Sequence, residues 1–168
     1  MSSSYLREDV STSLFKRTLE DELQVEKVEI YFEYLRKEEI MRVDKINYYL
    51  DIAQTVAERG TCLRRNFGAI IVKNDAIIAT GYNGAPRGRS NCVDIKRCTR
   101  EELSIPRGQR YELCRSVHAE ANCIISAPRQ DMMGSYMYLV GLDMLLNDLA
   151  DNIEPCSMCK RLIINAGI

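Results

Sequence analysis

The sequence contains no tryptophan, a single histidine and only four prolines among its 168 residues. Lys and Arg total 23 against 24 for Asp and Glu, so the chain lacks the basic excess with which proteins hold a long nucleic acid. No apolar run approaches the roughly 20 residues of a membrane span, and the start MSSSYLREDV lacks the apolar segment of a secretory signal. These absences argue against a long DNA or RNA partner and against a membrane partner, and they predict a cytoplasmic protein.

Cysteine, in contrast, is abundant. The chain has seven cysteines, an odd number that cannot all pair within one chain. Disulfides rarely persist in a reducing compartment, so metal ligation explains this count better than a disulfide framework does. Apolar residues make up 46% of the chain and its mass is 19.2 kDa, which suits one globular core with an additional helix.

The charge pattern divides the chain into two parts. Residues 14–40 are highly charged, lack Gly and Pro, and have ion-pair spacings that favour a long surface helix. We therefore predict an N-terminal helical extension over residues 1–43. A second helix begins after Asp44, which can cap it, and Gly60 can close it. This helix opens a predicted domain over residues 44–168.

Short apolar runs and helical segments alternate through that domain. Two buried strands separated by Lys73, Asn74 and Asp75 predict a β-hairpin. A helix, a third strand and a final helix with Pro155 at its first position and Gly167 at its end follow it. The predicted ranges are 67–72 and 76–80 for the hairpin, 117–127 for the helix and 136–140 for the third strand. This order predicts an α/β fold in which the sheet lies between layers of helices.

The strongest chemical signal joins two helix starts, His118-Ala119-Glu120 and Pro155-Cys156-Ser157-Met158-Cys159. One imidazole and two thiolates give Zn²⁺ three protein ligands and leave a fourth position for water, which is typical of catalytic zinc. Glu120 is placed to take a proton from that water. The alternative is a core histidine and a fortuitous CxxC, but H-x-E together with P-C-x-x-C is the signature of zinc nucleobase deaminases.

Four segments carry a resemblance to a known family: TCLRRNFGAIIV, GYNGAPRG, ELCRSVHAEAN and PCSMCKRLIINAGI. Over residues 45–168 the sequence resembles the cytidine and deoxycytidylate deaminase superfamily, and within it the deoxycytidylate (dCMP) deaminases. The resemblance implies a three-layer α/β/α sandwich with a mixed sheet. Because the chain stops at Ile168, it also implies that the C-terminal strands usual in the family are absent.

The resemblance assigns roles to the catalytic signature. It implies that His118, Cys156 and Cys159 hold the catalytic zinc and that Glu120 shuttles protons from water to N3 of the cytosine and to the departing ammonia. The expected reaction is hydrolysis of dCMP to dUMP and ammonia, which supplies dUMP for dTMP synthesis.

The resemblance also suggests how the nucleotide is held. Asn83 matches the family's residue that binds the nucleoside, and Tyr138 falls where an aromatic residue lies near the base. Arg64 and Arg65 precede the first strand, where the family places groups that meet the 5′-phosphate, and a guanidinium suits a phosphate dianion. Both arginines could instead be solvated surface residues.

Family members are commonly activated by dCTP and inhibited by dTTP, and they commonly form oligomers. Their effector site involves the segment that matches Gly81, Tyr82, Asn83 and Gly84 here. The resemblance therefore implies dCTP and dTTP as effectors and a homo-oligomer.

Four other cysteines lie before the first strand and in the loop leading to His118: Cys62, Cys92, Cys98 and Cys114. Some dCMP deaminases carry a second, structural zinc in this region, and four thiolates would make a closed site that folds a polar loop. A three-thiolate site with another fourth ligand and ordinary buried thiols are the alternatives. Cys123 is predicted to lie in the core.

The sequence departs from the family between Val140 and Pro155, where the long GLDMLLNDLADNIE segment is a lid, a specificity loop or a tolerated surface insertion. Two other functions stay open. One is a deaminase of the same fold that acts on cytidine, guanine, a riboflavin precursor or a nucleic-acid base. The other is a non-catalytic zinc and nucleotide-binding module, although Glu120 beside an open metal position argues against it.

Overall fold

The computed structural model describes residues 42–106 and 108–168. Residues 44–168 form one compact unit. The helix predicted over residues 14–40 lies outside the described residues. No helix in the described ranges is both long enough and apolar enough to cross a membrane.

The compact unit contains six helices, one 3-10 turn and four strands within the described residues. In chain order these are α1 (Lys45–Ala57), β1 (Arg65–Lys73), β2 (Ala76–Tyr82), α2 (Cys92–Ile95), α3 (Thr99–Glu102), the 3-10 turn (Tyr111–Leu113), α4 (Ala119–Ile124), α5 (Arg129–Met132), β3 (Tyr136–Asp143), β4 (Asp148–Leu149) and α6 (Ser157–Ala166).

Local chemistry sets several of these boundaries. The carboxylate of Asp44 accepts hydrogen bonds from the backbone amides of Ile46 and Asn47, at 2.9 and 3.1 Å, and so caps α1 as predicted. The turn between β1 and β2 places Asn74 and Asp75 at positive φ, the conformation that a tight two-residue hairpin requires. The predicted hairpin is confirmed, with β1 and β2 paired antiparallel.

The four strands form one sheet in the order β2-β1-β3-β4, and every neighbouring pair is antiparallel. The predicted mixed sheet is therefore wrong for the described residues. The reason lies in the segment after β3. It turns back through residues 144–147 and adds β4 as an antiparallel neighbour, where a mixed sheet needs a parallel strand.

Side chains alternate across the sheet and build two cores, which confirms the three-layer α/β/α arrangement. Ile70 and Val72 face α1 and pack with Tyr49 and Ala53. On the opposite face, the buried cluster consists of Ala69, Ile71, Ala79, Ala119, Cys123, Met132 and Ala166, which come from the sheet, α4, α5 and α6. The carboxyl end of α6 is closed by Gly167 at φ 84°, as the sequence predicts.

Replacing Gly68 with alanine should destabilise the domain by at least about 2 kcal/mol. Gly68 lies where β1 meets α1, and a Cβ there would overlap the carbonyl oxygen of Ala53 and the backbone amide of Ala57. Denaturant unfolding of the full chain measures the change. Gly88→Ala is the matched control. Its Cβ would meet nothing within 4 Å, so only the positive φ of 78° opposes it, at about 1 kcal/mol. Equal losses in the two variants would contradict this packing argument.

Candidate metal centre and adjoining cavity

Two helix starts converge on one side of the sheet. His118 immediately precedes α4, Cys156 immediately precedes α6, and Cys159 lies in the first turn of α6. The backbone of Val117 pairs with that of Gly84 through two hydrogen bonds of 2.8 and 3.2 Å, which fix the chain just before His118. Local sequence therefore positions each candidate ligand at the start of its own helix, and the sheet brings the two helix starts together.

The three side chains meet at ligand distance. The Nδ1 atom of His118 lies 3.4 Å from the Sγ atoms of both Cys156 and Cys159. All candidate ligand atoms lie within 4.8 Å of one another. Zinc–nitrogen and zinc–sulfur bonds arranged tetrahedrally separate such atoms by about 3.5 Å, so these residues fit Zn²⁺.

The negative groups around the three candidate ligands also favour a bound cation. Burial raises the pKa of the Cys159 thiol, and the neighbouring Glu120 carboxylate and Cys156 raise it further. Two thiolates and a carboxylate in this space would repel one another without a positive ion. The unpaired amides at the start of α6 favour negative charge there, and a bound divalent ion would supply the rest.

Glu120 lies in the first turn of α4, next to the centre, and is only 5% exposed. Together with His118 and Cys156 it lines one cavity. A buried carboxylate beside a three-ligand metal site can accept and return a proton within the cavity, which is the function of a general acid and base.

The cavity has a volume of about 250 Å³ and is open to solvent at one side. Residues from several loops and from the ends of strands line it: Cys62, Arg64, Arg65, Phe67, Asn83, Cys98, Arg100, Tyr111, Cys114, Ser116, His118, Ala119, Glu120, Asn152, Ile153, Glu154 and Cys156. Its wall combines aromatic and apolar surface with convergent polar groups, as small-molecule sites do.

Asn83 is buried in the cavity wall at the end of β2. Its Oδ1 accepts a 2.7 Å hydrogen bond from the amide of Phe67, and its Nδ2 donates a 2.9 Å bond to the carbonyl of Arg65. These bonds fix the amide rigidly against the start of β1. One further hydrogen on Nδ2 and one further lone pair on Oδ1 are left for a ligand.

Arg64 and Arg65 also line the cavity, and each has a carboxylate nearby. The Nε atom of Arg64 lies 3.6 Å from Glu101, and that of Arg65 lies 3.4 Å from Asp143. About a third of each arginine side chain is exposed to solvent. Both therefore remain able to meet an anion at the cavity, but their charges are already partly balanced.

Tyr138 lies on the other face of the sheet. Its ring packs 5.1 Å from that of Tyr49, within the core beneath α1, and it is not among the residues that line the cavity. This corrects the expectation that Tyr138 lies near the base. Alternation along β3 explains the difference, because Met137 and Leu139 face α4 and Tyr138 must then face away.

The segment from Gly81 to Gly84 packs against the elements that carry the candidate metal centre. A Cβ at Gly81 would lie 2.5 Å from the carbonyl oxygen of Ala119, so only glycine lets β2 approach α4 this closely. Gly84 forms the backbone bridge to Val117. Asn83 alone of the four lines the cavity, while Tyr82 is partly exposed.

The cysteines at positions 62, 92, 98 and 114 are neighbours. Their sulfur atoms do not meet the distance limit that the ligand atoms of His118, Cys156 and Cys159 meet. Cys62, Cys98 and Cys114 line the cavity, and charges on Cys62, Cys114 and Cys98 add to burial in raising the pKa of the Cys92 thiol. Among the described residues, His118, Cys156 and Cys159 are the only three cysteines, histidines or acids whose ligand atoms come within 4.8 Å of one another. A second zinc site stays a prediction.

The sequence reasoning missed several residues of the cavity wall. Arg100, Tyr111 and Ser116 belong to the polar loop before His118, and Asn152 to Glu154 belong to the segment after β3. The long segment between Val140 and Pro155 therefore reaches the cavity. The sequence did indicate that this loop lies near the cavity, since the loop leads directly into His118. No local pattern indicated which of its side chains face the cavity.

Comparison with known proteins gives a consistent result. A family model described as the cytidine and deoxycytidylate deaminase zinc-binding region matches residues 43–168. The chain is 35% identical over 131 residues to a deoxycytidylate deaminase of Mycobacterium phage D29, a match that covers 76% of this chain and 91% of the phage protein. It is 32% identical over 142 residues to the deoxycytidylate deaminase of Schizosaccharomyces pombe, covering 82% of this chain and 40% of that longer protein.

Among solved structures, the apo crystal structure of a dCMP deaminase from the cyanophage S-TIM5 resembles this chain with a TM-score of 0.51 and 25% sequence identity. The match covers 76% of this chain and 80% of the cyanophage chain.

Proposed function

Because the chain belongs to the cytidine and deoxycytidylate deaminase family, we propose that it catalyses the zinc-dependent hydrolytic deamination of dCMP to dUMP and ammonia. The observation that carries the proposal is the buried carboxylate of Glu120 beside the three converging side chains of His118, Cys156 and Cys159. The relatives named deoxycytidylate deaminase favour dCMP over other amino-pyrimidines as the substrate.

His118, Cys156 and Cys159 would hold the zinc ion, which when bound lowers the pKa of a water molecule and so provides a nucleophile near neutral pH. Glu120 accepts the proton of that water and donates it to N3 of the cytosine ring. The oxygen of that water adds to C4, and Glu120 takes its second proton and delivers it to the amino group at C4, which leaves as ammonia. Burial of Glu120 keeps bulk water from competing for these transfers.

The remaining wall positions the nucleotide. Asn83, fixed by its bonds to β1, has one donor and one acceptor left for the sugar hydroxyl. Arg64 and Arg65 lie on the same wall and contribute positive charge for the phosphate. Segment 152–154 closes another side, so the long insertion after β3 acts as a specificity element.

Three further features of the family belong to the proposal. dCTP would activate and dTTP would inhibit a homo-oligomer through the segment from Gly81 to Gly84. A second zinc would be held by the loop cysteines Cys62, Cys92, Cys98 and Cys114, whose proximity in the structure supports it. The near-neutral net charge of -1 supports a small nucleotide substrate over a long nucleic acid.

We expect the zinc-loaded full chain to release one ammonia and one dUMP for each dCMP consumed. Its kcat/KM for dCMP should exceed that for deoxycytidine by at least about tenfold, because a charge-assisted contact to the phosphate contributes this much or more. Product chromatography and an ammonia assay measure the products and rates with dCMP, CMP, deoxycytidine and cytidine. Parallel reactions contain dCTP or dTTP. Equal rates on nucleosides and nucleotides would favour a nucleoside deaminase. Nucleotide binding without turnover of any of the four would favour the non-catalytic module.

A further inference from the structure

The long segment after β3 returns to the residue from which it departs. The last two residues of β3 pair antiparallel with both residues of β4. The amide of Ala150, which follows β4 directly, donates a 2.8 Å hydrogen bond to the carbonyl of Gly141. Residues 142–149 therefore form a closed excursion, and the connection to α6 starts again beside Gly141.

The turn of this excursion is fixed by its own residues and by the start of β1. The carboxylate of Asp143 accepts hydrogen bonds of 3.0 and 3.3 Å from the amides of Leu145 and Leu146. The amide of Met144 donates a 2.9 Å bond to the carbonyl of Arg64. Leu145 is 82% exposed, so the side chain at the tip adds little to the packing of the domain.

Ile153 anchors the remainder of the segment at the same place. A Cβ on residue 141 would lie 2.6 Å from Cδ1 of Ile153 and 2.9 Å from Cε1 of Phe67. The terminal methyl group of Ile153 therefore occupies the space that a side chain on Gly141 would need, beside the edge of the Phe67 ring. Glycine leaves this space open because it has no Cβ.

This anchor lies three residues before a candidate zinc ligand. Only Glu154 and Pro155 separate Ile153 from Cys156, and the ring of proline fixes its own φ. Glu154 pairs with Lys160 of α6, so this ion pair does not tie the helix to the sheet. The contact of Ile153 with Gly141 and Phe67 does tie the start of α6 to β3 and β1.

A free connection of this length would leave the Cys156 thiolate poorly placed. The entropy cost of bringing the ends of a chain together rises with the number of unrestrained residues, and residues 142–155 separate β3 from Cys156. The return at Ala150 and the contact at Ile153 leave only short spans between fixed points. A ligand held in place before the metal arrives binds it more tightly, because less ordering accompanies binding.

We propose that Ile153 is a positioning residue. Its contact with Gly141 and Phe67 anchors the long segment after β3 to the sheet and holds Cys156 in place for zinc. The inference rests on the proposed function, because it requires zinc at the candidate metal centre. It also makes the end of the segment a fixed wall of the cavity, which Ile153 lines, and not a lid that opens.

The test measures zinc affinity, by titration with a competing chelator, in the full chain and in the variants Ile153→Ala, Gly141→Ala and the double variant. We expect Ile153→Ala to lower zinc affinity by about 10-fold, since groups that orient metal ligands contribute this much or more. Gly141→Ala should also lower it, because the new Cβ displaces the methyl group of Ile153. In the double variant the new Cβ fills space that isoleucine has vacated, so the two losses should not add.

Leu145→Ala is the matched control, because it shortens an aliphatic side chain of the same segment at an exposed position. It should leave zinc affinity within about twofold of wild type. Ile153→Leu, which keeps the volume of the side chain, should also stay close to wild type. Denaturant unfolding of the zinc-free chains gives the folded fraction of each variant, so that a loss of stability is not counted as a loss of zinc affinity.

Assays of dCMP turnover on the same preparations separate this inference from the proposed function. If Ile153→Ala binds zinc as the wild type does, or if the two losses add, the inference is wrong, and dUMP formation by the wild type leaves the proposed function standing. If the losses appear with the expected coupling but the wild type turns over no cytosine nucleotide, the positioning role is supported and the proposed function fails. A wild type that binds no zinc overturns both.

Discussion

Replacing Glu120 with glutamine is expected to reduce dCMP deamination by about 10³-fold or more while zinc remains bound. Glutamine keeps the size of the side chain and its hydrogen-bonding reach but cannot take up or release a proton at neutral pH. The reaction requires proton transfer from water, to the ring and to the leaving ammonia. Because Glu120 is the buried carboxylate beside the three candidate ligands, no solvent-borne base replaces it readily.

Steady-state rates and elemental analysis on the same preparations measure this effect. Glu112→Gln is the control, since Glu112 is an exposed carboxylate that pairs with Arg110 and is not among the residues that line the cavity. It should keep full activity. A Glu120→Gln variant with zinc bound and a rate within tenfold of wild type would show that another group carries the proton.

Replacing Cys159 with serine is expected to remove one zinc equivalent per chain and to abolish activity. The hydroxyl of serine is a far weaker zinc ligand than a thiolate, and the remaining imidazole and single thiolate cannot complete the site. The buried position of Cys159 between His118 and Glu120 also prevents an outside ligand from substituting. We expect zinc affinity to fall by at least about 100-fold.

Cys123→Ala provides the matched comparison. Cys123 lies in α4 and is fully buried in the core, and burial raises the pKa of its thiol to about 12, so it remains a neutral thiol there. This variant should keep the full zinc content and lose about 1 kcal/mol of stability through its small cavity. Zinc titration with a competing chelator compares the two variants. Equal zinc affinity in Cys159→Ser and wild type would exclude Cys159 as a ligand.

The sequence predicted best where short-range spacing decides the outcome. His118 and Glu120 are two residues apart, and Cys156 and Cys159 are three apart, so each pair is positioned by the start of its own helix. The hairpin between β1 and β2 follows from Asn74 and Asp75 in the same way. For these elements, residue type and local geometry carry the information.

Prediction failed where distant segments decide. The all-antiparallel sheet depends on β4, whose two residues show no strand signal and pair only because the chain folds back on β3. Which face Tyr138 presents depends on the register of β3 against β1. Arg100 was overlooked for a similar reason. Its burial depends on carbonyls six and nine residues away and on the ring of Tyr111, and none of these contacts has a periodic signature.

Hydrolytic deamination by this chain is tested by incubating the zinc-loaded full chain with dCMP in water enriched in ¹⁸O and analysing the products by mass spectrometry. We expect dUMP that carries one ¹⁸O atom at position 4, with one ammonia released per dUMP, and no such product from Glu120→Gln on the same timescale. Absence of dUMP, or formation of dUMP without the label, would contradict hydrolytic deamination at the centre formed by His118, Cys156, Cys159 and Glu120.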